Sequence, residues 1–149
     1  MGKNTLAVHS GARRDASGGL NTPLDASTAY PYLDTGVRYP RYFNTPNQDA
    51  VVDKLCALEG AEAGLLMASG MAAISTAFLA HCRSGDRVLV QQGIYGGTEH
   101  LARSLLPQLG LHVERGPMDT EGLIACMRAG LAMVHVETPT NPRLRIIDL

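Results

Sequence analysis

From Gly64 onward the sequence alternates short apolar runs with segments of helical period, and turn residues stand between them. This alternation constrains the fold more than any single motif. The reading runs: a strand near 64–68, a helix near 70–82, the turn Ser84-Gly85-Asp86 and a strand Val88–Val90. A helix from about Thr98 to Leu106 follows, ended by Pro107 and Gly110. Then come a strand around Leu111–Glu114, a helix Glu121–Ala129 stopped by Gly130, and a strand Met133–Glu137. Strands alternating with helices of about ten residues imply βαβ units with right-handed crossovers and a largely parallel sheet. Strands covered on both faces should be apolar throughout.

The first 44 residues read differently. Gly18-Gly19, Pro23, Pro31, Gly36 and Pro40 break any sustained period, so residues 1–44 are expected to form an extended arm that needs something to lie against. Thr45-Pro46-Asn47-Gln48 then supplies an N-cap, a proline at the first helical position and a glutamine at the capping-box position. Val51, Val52, Leu55 and Leu58 give that helix its apolar stripe up to Gly60. A chain of 149 residues suffices for one domain with a core.

Several function classes receive no support. A net charge of −1 without runs of like charge offers nothing to nucleic acid or anionic lipid. No apolar stretch approaches the roughly 20 residues that span a bilayer, and Met1-Gly2-Lys3-Asn4 opens no signal-peptide pattern, so a cytoplasmic protein is expected. Cys56, Cys82 and Cys126 have no CxxC spacing and read as core thiols. His9, His81, His100, His112 and His135 have no ligand spacing, so no metal is expected and most of them read as surface or core residues.

In an open α/β sheet ligands sit beyond the carboxyl ends of strands, which singles out three stretches. In Ser69-Gly70-Met71, free amides at a helix start can hold an anion such as phosphate; equally, Ser69 is a plain N-cap and Gly70 a turn residue. In Tyr95-Gly96-Gly97-Thr98 the ring can project over a ligand, or be an ordinary half-buried loop tyrosine. Glu137-Thr138-Pro139-Thr140-Asn141-Pro142 is a proline-stiffened polar turn able to hold an amide side chain in one orientation, or a simple turn. Upstream, Tyr39-Pro40-Arg41-Tyr42-Phe43-Asn44 offers an arginine suited to bidentate phosphate binding and a tyrosine hydroxyl, or an exposed basic residue among surface aromatics. A dinucleotide site fits poorly, because GxGxxG is absent.

Taken together and in order, these stretches resemble the cystathionine and methionine metabolism family of pyridoxal 5'-phosphate (PLP) enzymes. The likeness also takes in Thr5-Leu6-Ala7-Val8-His9-Ser10-Gly11, Asn21-Thr22-Pro23-Leu24 and Leu58-Glu59-Gly60, and so runs through essentially the whole chain. The family includes cystathionine gamma-synthase, cystathionine gamma-lyase, cystathionine beta-lyase and methionine gamma-lyase. The resemblance implies a three-layer αβα large domain of the aspartate aminotransferase type (fold type I), incomplete here. Residues 1–44 would be its N-terminal arm and 45–149 the N-terminal part of the PLP-binding domain.

It also implies roles. Ser69, Gly70 and Met71 would hold the PLP phosphate, the last two through backbone amides. Tyr39 and Arg41 would reach the phosphate of a neighbouring subunit's cofactor in a homodimer or homotetramer. Tyr95 would stack on the pyridine ring and act in proton transfer or leaving-group departure. Asn141 would hold the cofactor's phenolic oxygen and the substrate carboxylate region, with Glu137 in support. The implied substrates are small sulfur amino acids or an activated homoserine.

Asn44-Thr45-Pro46 stands where the family usually has Asn-Pro-Thr. The family's cofactor lysine (Ser-x-Thr-Lys) and its pyridine-pairing aspartate (Asp-Asn-Thr) are not among the matched motifs. Lys3 would sit on a terminus and Lys54 on a helix facing solvent, so these 149 residues alone are expected to be inactive. Two readings of other classes remain: a non-catalytic assembly module, and a phosphate- or nucleotide-binding α/β domain that makes no demand on Tyr95.

Overall fold

The computed structural model describes residues 1–33 and 36–148; Leu149, the end of the expected 45–149 segment, lies outside them. The chain divides into two compact units, Met1–Ala68 and Ser69–Leu149.

In the first unit, α1 (Lys3–His9) forms within the segment expected to be extended and is followed by α2 (Pro46–Glu59), with a 3-10 turn at Pro40–Tyr42 between them. The start of α2 follows from its sequence. Thr45 is buried as N-cap, Pro46 fills N1 where no donor is missed, and Gln48 Oε1 accepts from the Thr45 N–H (3.0 Å) and hydroxyl (2.8 Å). Polar tethers hold much of the 1–44 segment to α2. Lys54 Nζ donates to the Val8 carbonyl at 3.3 Å, Arg13 pairs with Asp53 at 2.8 Å, and the Asn47 side chain ties both Pro23 (2.6 Å) and Asp25 (2.8 Å). Lys54 is therefore half-buried and hydrogen-bonded, not the solvent-facing side chain that helical periodicity suggested.

The apolar run at 64–68 is not a strand: Leu65 is 85% exposed, and among the described residues no strand pairs with it. A strand needs a ladder partner as well as apolar side chains.

The second unit is a three-stranded parallel sheet of order β2-β1-β3, made of β1 (Arg87–Gln91), β2 (His112–Gly116) and β3 (Leu131–His135). Alternation along β1 assigns its faces. Val88 and Val90 pack with Phe78 of α3 (Gly70–His81), with Leu101 and Ala102, and with Leu106 at the start of α5 (Leu106–Gln108). Leu89 packs on the other side with Leu123 of α6 (Thr120–Cys126) and Ile147. Helices on both faces of the sheet make three layers. Gly116 makes room on the α6 side, because a Cβ there would lie 2.7 Å from Leu123 Cδ1.

Sequence and structure differ at four further places. The helix expected to end at Pro107 begins earlier, as α4 (Gly96–His100), widens to a π-helical stretch over Leu101–Leu105 and closes in α5, so Pro107 lies inside it. Proline lacks an N–H and crowds the carbonyl four residues back, and the widened turn just before it relieves that conflict. The sixth helix is shorter than expected, ending at Cys126 with Met127 as its cap. The last strand starts and ends two residues earlier than expected, which leaves Glu137 beyond it, and a register shift lies between its pairings with Arg87 and Val88. Strand β2 is largely polar, and its charges are paired: Glu114 with Arg87 and Arg128, each at 2.6 Å, and Arg115 with Glu99.

Candidate functional site

The carboxyl end of β1 leads into the Tyr95 turn, and α3 begins nearby in the same unit. Ser69 is the N-cap of α3 and its hydroxyl accepts from Ala72 N at 3.1 Å, while Ala73 N bonds the Ser69 carbonyl. Of the first amides of this helix, those of Gly70 and Met71 are therefore the two with no intrahelical acceptor. Gly70 itself stands clear of other groups, since a Cβ on it would meet nothing within 4 Å. Ser69 thus acts as a cap and leaves two amides at the positive end of a 12-residue helix.

Tyr95 is the N-cap of α4 and is 53% exposed. Gly97 brings the ring and α3 together: a Cβ at Gly97 would stand 2.6 Å from Tyr95 Cε1 and 2.9 Å from Met71 Sδ. Only glycine leaves room for both to converge at this point. The fully buried Thr98 adds a weak contact of 3.9 Å from its hydroxyl to Met71 Sδ.

Glu137 fixes this turn from below. One carboxylate oxygen accepts the Tyr95 N–H at 2.7 Å; the other accepts the Thr98 hydroxyl at 2.8 Å and lies 3.2 Å from His135 Nε2. Its own N–H donates to Gln91 Oε1 at 3.1 Å, at the fully buried end of β1. Burial pushes the Glu137 carboxyl up, but the hydrogen bonds from Tyr95, Thr98 and His135 outweigh it and hold the group below its ordinary value. A carboxylate at a helix N-terminus is also favoured by the helix dipole. The residue contacts the backbone and side chains of this turn, so its place is beneath the site.

Asn141 is exposed, and its N–H donates to the Gly93 carbonyl at 2.9 Å, which ties the 138–142 turn to the loop after β1. The peptides Thr138–Pro139 and Asn141–Pro142 are both cis. The buried Thr140 braces the turn by bonding Arg145 through backbone and hydroxyl at 2.8 and 3.0 Å.

Tyr39 and Arg41 belong to the first unit. Arg41 is exposed on the Pro40–Tyr42 turn, which is well braced. The Asn44 side chain clamps Val37 and Tyr39 at 2.8 and 2.9 Å, Gln48 Nε2 holds the Pro40 carbonyl at 3.0 Å, and Tyr39 meets Tyr42 edge-on at 5.3 Å.

Three contributors escaped the sequence reading. Thr98 was legible only as part of a motif, and Gln91 lay just past the expected strand Val88–Val90. His135, taken for a surface or core residue, had one available signal: residues 135 and 137 fall on the same side of a continuing extended chain. Among the described residues no helix is long and apolar enough to cross a membrane.

A family profile described as Cys/Met metabolism PLP-dependent enzyme matches residues 4–149. Cystathionine gamma-lyase of Bacillus subtilis is 36% identical, with all of this chain and 40% of the relative covered. O-succinylhomoserine sulfhydrylase of Pseudomonas aeruginosa is 31% identical over 98% of this chain and 39% of its own length. Among solved structures, metB from Corynebacterium glutamicum superposes with a TM-score of 0.88 at 32% identity, covering 99% of this chain and 40% of that one. A putative O-acetylhomoserine (thiol)-lyase from Campylobacter jejuni, solved with a pyridoxyl-lysine-phosphate group, gives 0.86 at 28% identity, with 99% and 39% covered. The chain thus spans about 40% of the length of the relatives it matches.

Proposed function

Since the chain belongs to the Cys/Met metabolism PLP-dependent enzyme family, we propose that it is the N-terminal portion of a trans-sulfuration enzyme or carbon–sulfur lyase. Its reaction is a β- or γ-elimination or a γ-replacement on cystathionine, methionine or an O-acylated homoserine. In this reading residues 1–44 are the arm and 45–149 the first part of the fold type I large domain, and the helices on both faces of the second unit's sheet support it.

The observation that carries this reading is the pair of uncommitted amides on Gly70 and Met71, with the Tyr95 ring held beside them over Gly97. A PLP molecule presents a phosphate dianion and a flat pyridine ring, and the residues fit both. Two helix amides beside an unobstructed Gly70 suit the phosphate, and an exposed tyrosine on a fixed turn suits the ring.

When bound, PLP supplies the electron sink for breaking bonds around the amino acid's Cα. The rest is the work of the chain. The α3 N-terminus orients the phosphate, and Tyr95 excludes water from one face and moves a proton at its hydroxyl. Glu137 and Thr98 hold the Tyr95 turn in place, and Asn141 would hold the cofactor's phenolic oxygen and the substrate carboxylate region.

Tyr39 and Arg41 reach the phosphate site of a second subunit, so that the active assembly is a homodimer or homotetramer. The exposed Leu20 (74%), Leu24 (95%) and Leu33 (83%) in the same arm support an arm that is covered in an assembly.

The test is to purify the full-length protein and identify its bound small molecule after denaturation. PLP in about one copy per subunit is expected; a nucleotide or phosphosugar in its place would refute the proposal.

A further inference from the structure

The imidazole of His135 is held on two sides. Its ring lies 5.6 Å from that of Phe78, tilted by 38°, and Phe78 is itself buried at the centre of the α3 side of the sheet. Its Nε2 stands 3.2 Å from Glu137 Oε1, with 16% of the His135 side chain and 20% of the Glu137 side chain exposed. Glu137 is ionised at neutral pH and can only accept, so Nε2 carries the hydrogen.

Oε1 then takes two donors, His135 and Thr98, and Oε2 takes the Tyr95 N–H. A glutamate side chain has three rotatable bonds. The Thr98 hydroxyl can swing with it, whereas the imidazole, pinned by Phe78 and by a backbone paired with Val90 in the sheet, cannot.

We infer that His135 is a positioning residue: by donating from Nε2 to Glu137 it fixes the carboxylate that sets the Tyr95–Thr98 turn, and through that turn the orientation of the Tyr95 ring. The link to a cofactor rests on the proposed role of Tyr95; the link to the turn does not.

Two substitutions separate this role from packing. His135→Phe keeps an aromatic ring against Phe78 and removes the donor. His135→Gln loses the ring and returns an N–H at about the reach of Nε2. In the full-length protein, amide hydrogen exchange of the peptide carrying Tyr95–Thr98, read by mass spectrometry, should be about 3- to 10-fold faster in His135→Phe and return to within about twofold of wild type in His135→Gln, as fits the loss and recovery of one hydrogen bond. His135→Leu, a smaller side chain, gives the same contrast if the Phe variant does not fold.

A packing role predicts the reverse order, with Phe tolerated and Gln disruptive, and that order would overturn the inference. So would unchanged exchange in both donor-free variants. In the holoenzyme, the visible circular dichroism of the cofactor should change in His135→Phe and recover in His135→Gln. Faster exchange with unaltered dichroism would uphold the positioning by His135 and refute the stacking of Tyr95 on the cofactor, so the two failures are told apart.

Discussion

Removing the Glu137 side chain should cost more stability than its position near a surface turn suggests. In Glu137→Ala the Thr98 hydroxyl, fully buried, loses its acceptor, and so do the Tyr95 N–H and His135 Nε2. A buried donor left unpaired costs about 1–3 kcal/mol. Thr98 bears that in full, while Tyr95 and His135 recover part of it from water, which places the total at roughly 2–4 kcal/mol. Glu137→Gln should cost less, about 1–2 kcal/mol: its oxygen can still accept the Tyr95 N–H and its amide can donate to a rotated Thr98 hydroxyl, while His135 Nε2 loses its acceptor and meets the amide only in the other tautomer.

The same pair fixes a pH dependence. The Glu137 carboxyl is held below its unfolded value, so its ionisation adds stability above the ordinary carboxylate range, and that contribution is lost as pH falls through the depressed folded value. The gap between wild type and Glu137→Gln should therefore be full at about pH 7 and shrink in the acid range. Urea unfolding of the full-length protein at several pH values measures both effects. An alanine variant within about 0.5 kcal/mol of wild type would refute the clasp, because surface substitutions away from such contacts fall in that range. A gap with glutamine that does not change with pH would refute its charged state.

The remaining predictions concern the residues above the clasp. Tyr95→Phe keeps the ring and removes the hydroxyl, so the cofactor should stay bound while turnover falls by about 10²–10⁴; a near-normal kcat would assign the tyrosine a structural role only. Arg41→Ala should speed PLP loss on dialysis and weaken subunit pairing, since one charge-assisted contact is worth roughly 1.5–3 kcal/mol; unchanged occupancy would sink the assignment. Gly97→Ala drives a methyl into Tyr95 and Met71, and should cost about 1–3 kcal/mol in stability and alter cofactor dichroism; a thermal melt and dichroism matching wild type would show that the ring is free to move away.

Two helix starts were legible because each is encoded within a few residues, whereas α1 (Lys3–His9) formed where an extended arm was expected and α4 began two residues early. Thr45-Pro46-Asn47-Gln48 and Ser69 are the clear cases, and both caps form as expected. Strands were less legible, because an apolar run says nothing about its partner. Gly64–Ala68 has the composition of a strand but no described ladder, while His112–Gly116 is largely polar and pairs fully with β1. The continuous apolar stretch around β3 hid its end as well, since Val136 continues the pattern after the pairing with β1 has stopped at His135.

The site divides along the same line. Ser69-Gly70-Met71 and Tyr95 could be found because they follow apolar runs read as strands, and their neighbours in sequence are their neighbours in space, although the run before Ser69 is no strand. The clasp could not, because Glu137 meets Thr98 and Tyr95 across 39 and 42 residues of chain. Its geometry depends on where β3 stops. Had the strand run to Glu137, that residue's N–H would have been spent on the ladder and its side chain would have followed the alternation of the sheet. Instead the ladder ends at His135, and the buried Gln91 side chain accepts the Glu137 N–H in place of a neighbouring strand. The chain can therefore leave the sheet with its backbone donor satisfied and turn its carboxylate under α4. Gln91 is in this sense the residue that lets a strand end become a support for Tyr95, and its role could be read only once the register of β1 and β3 was known.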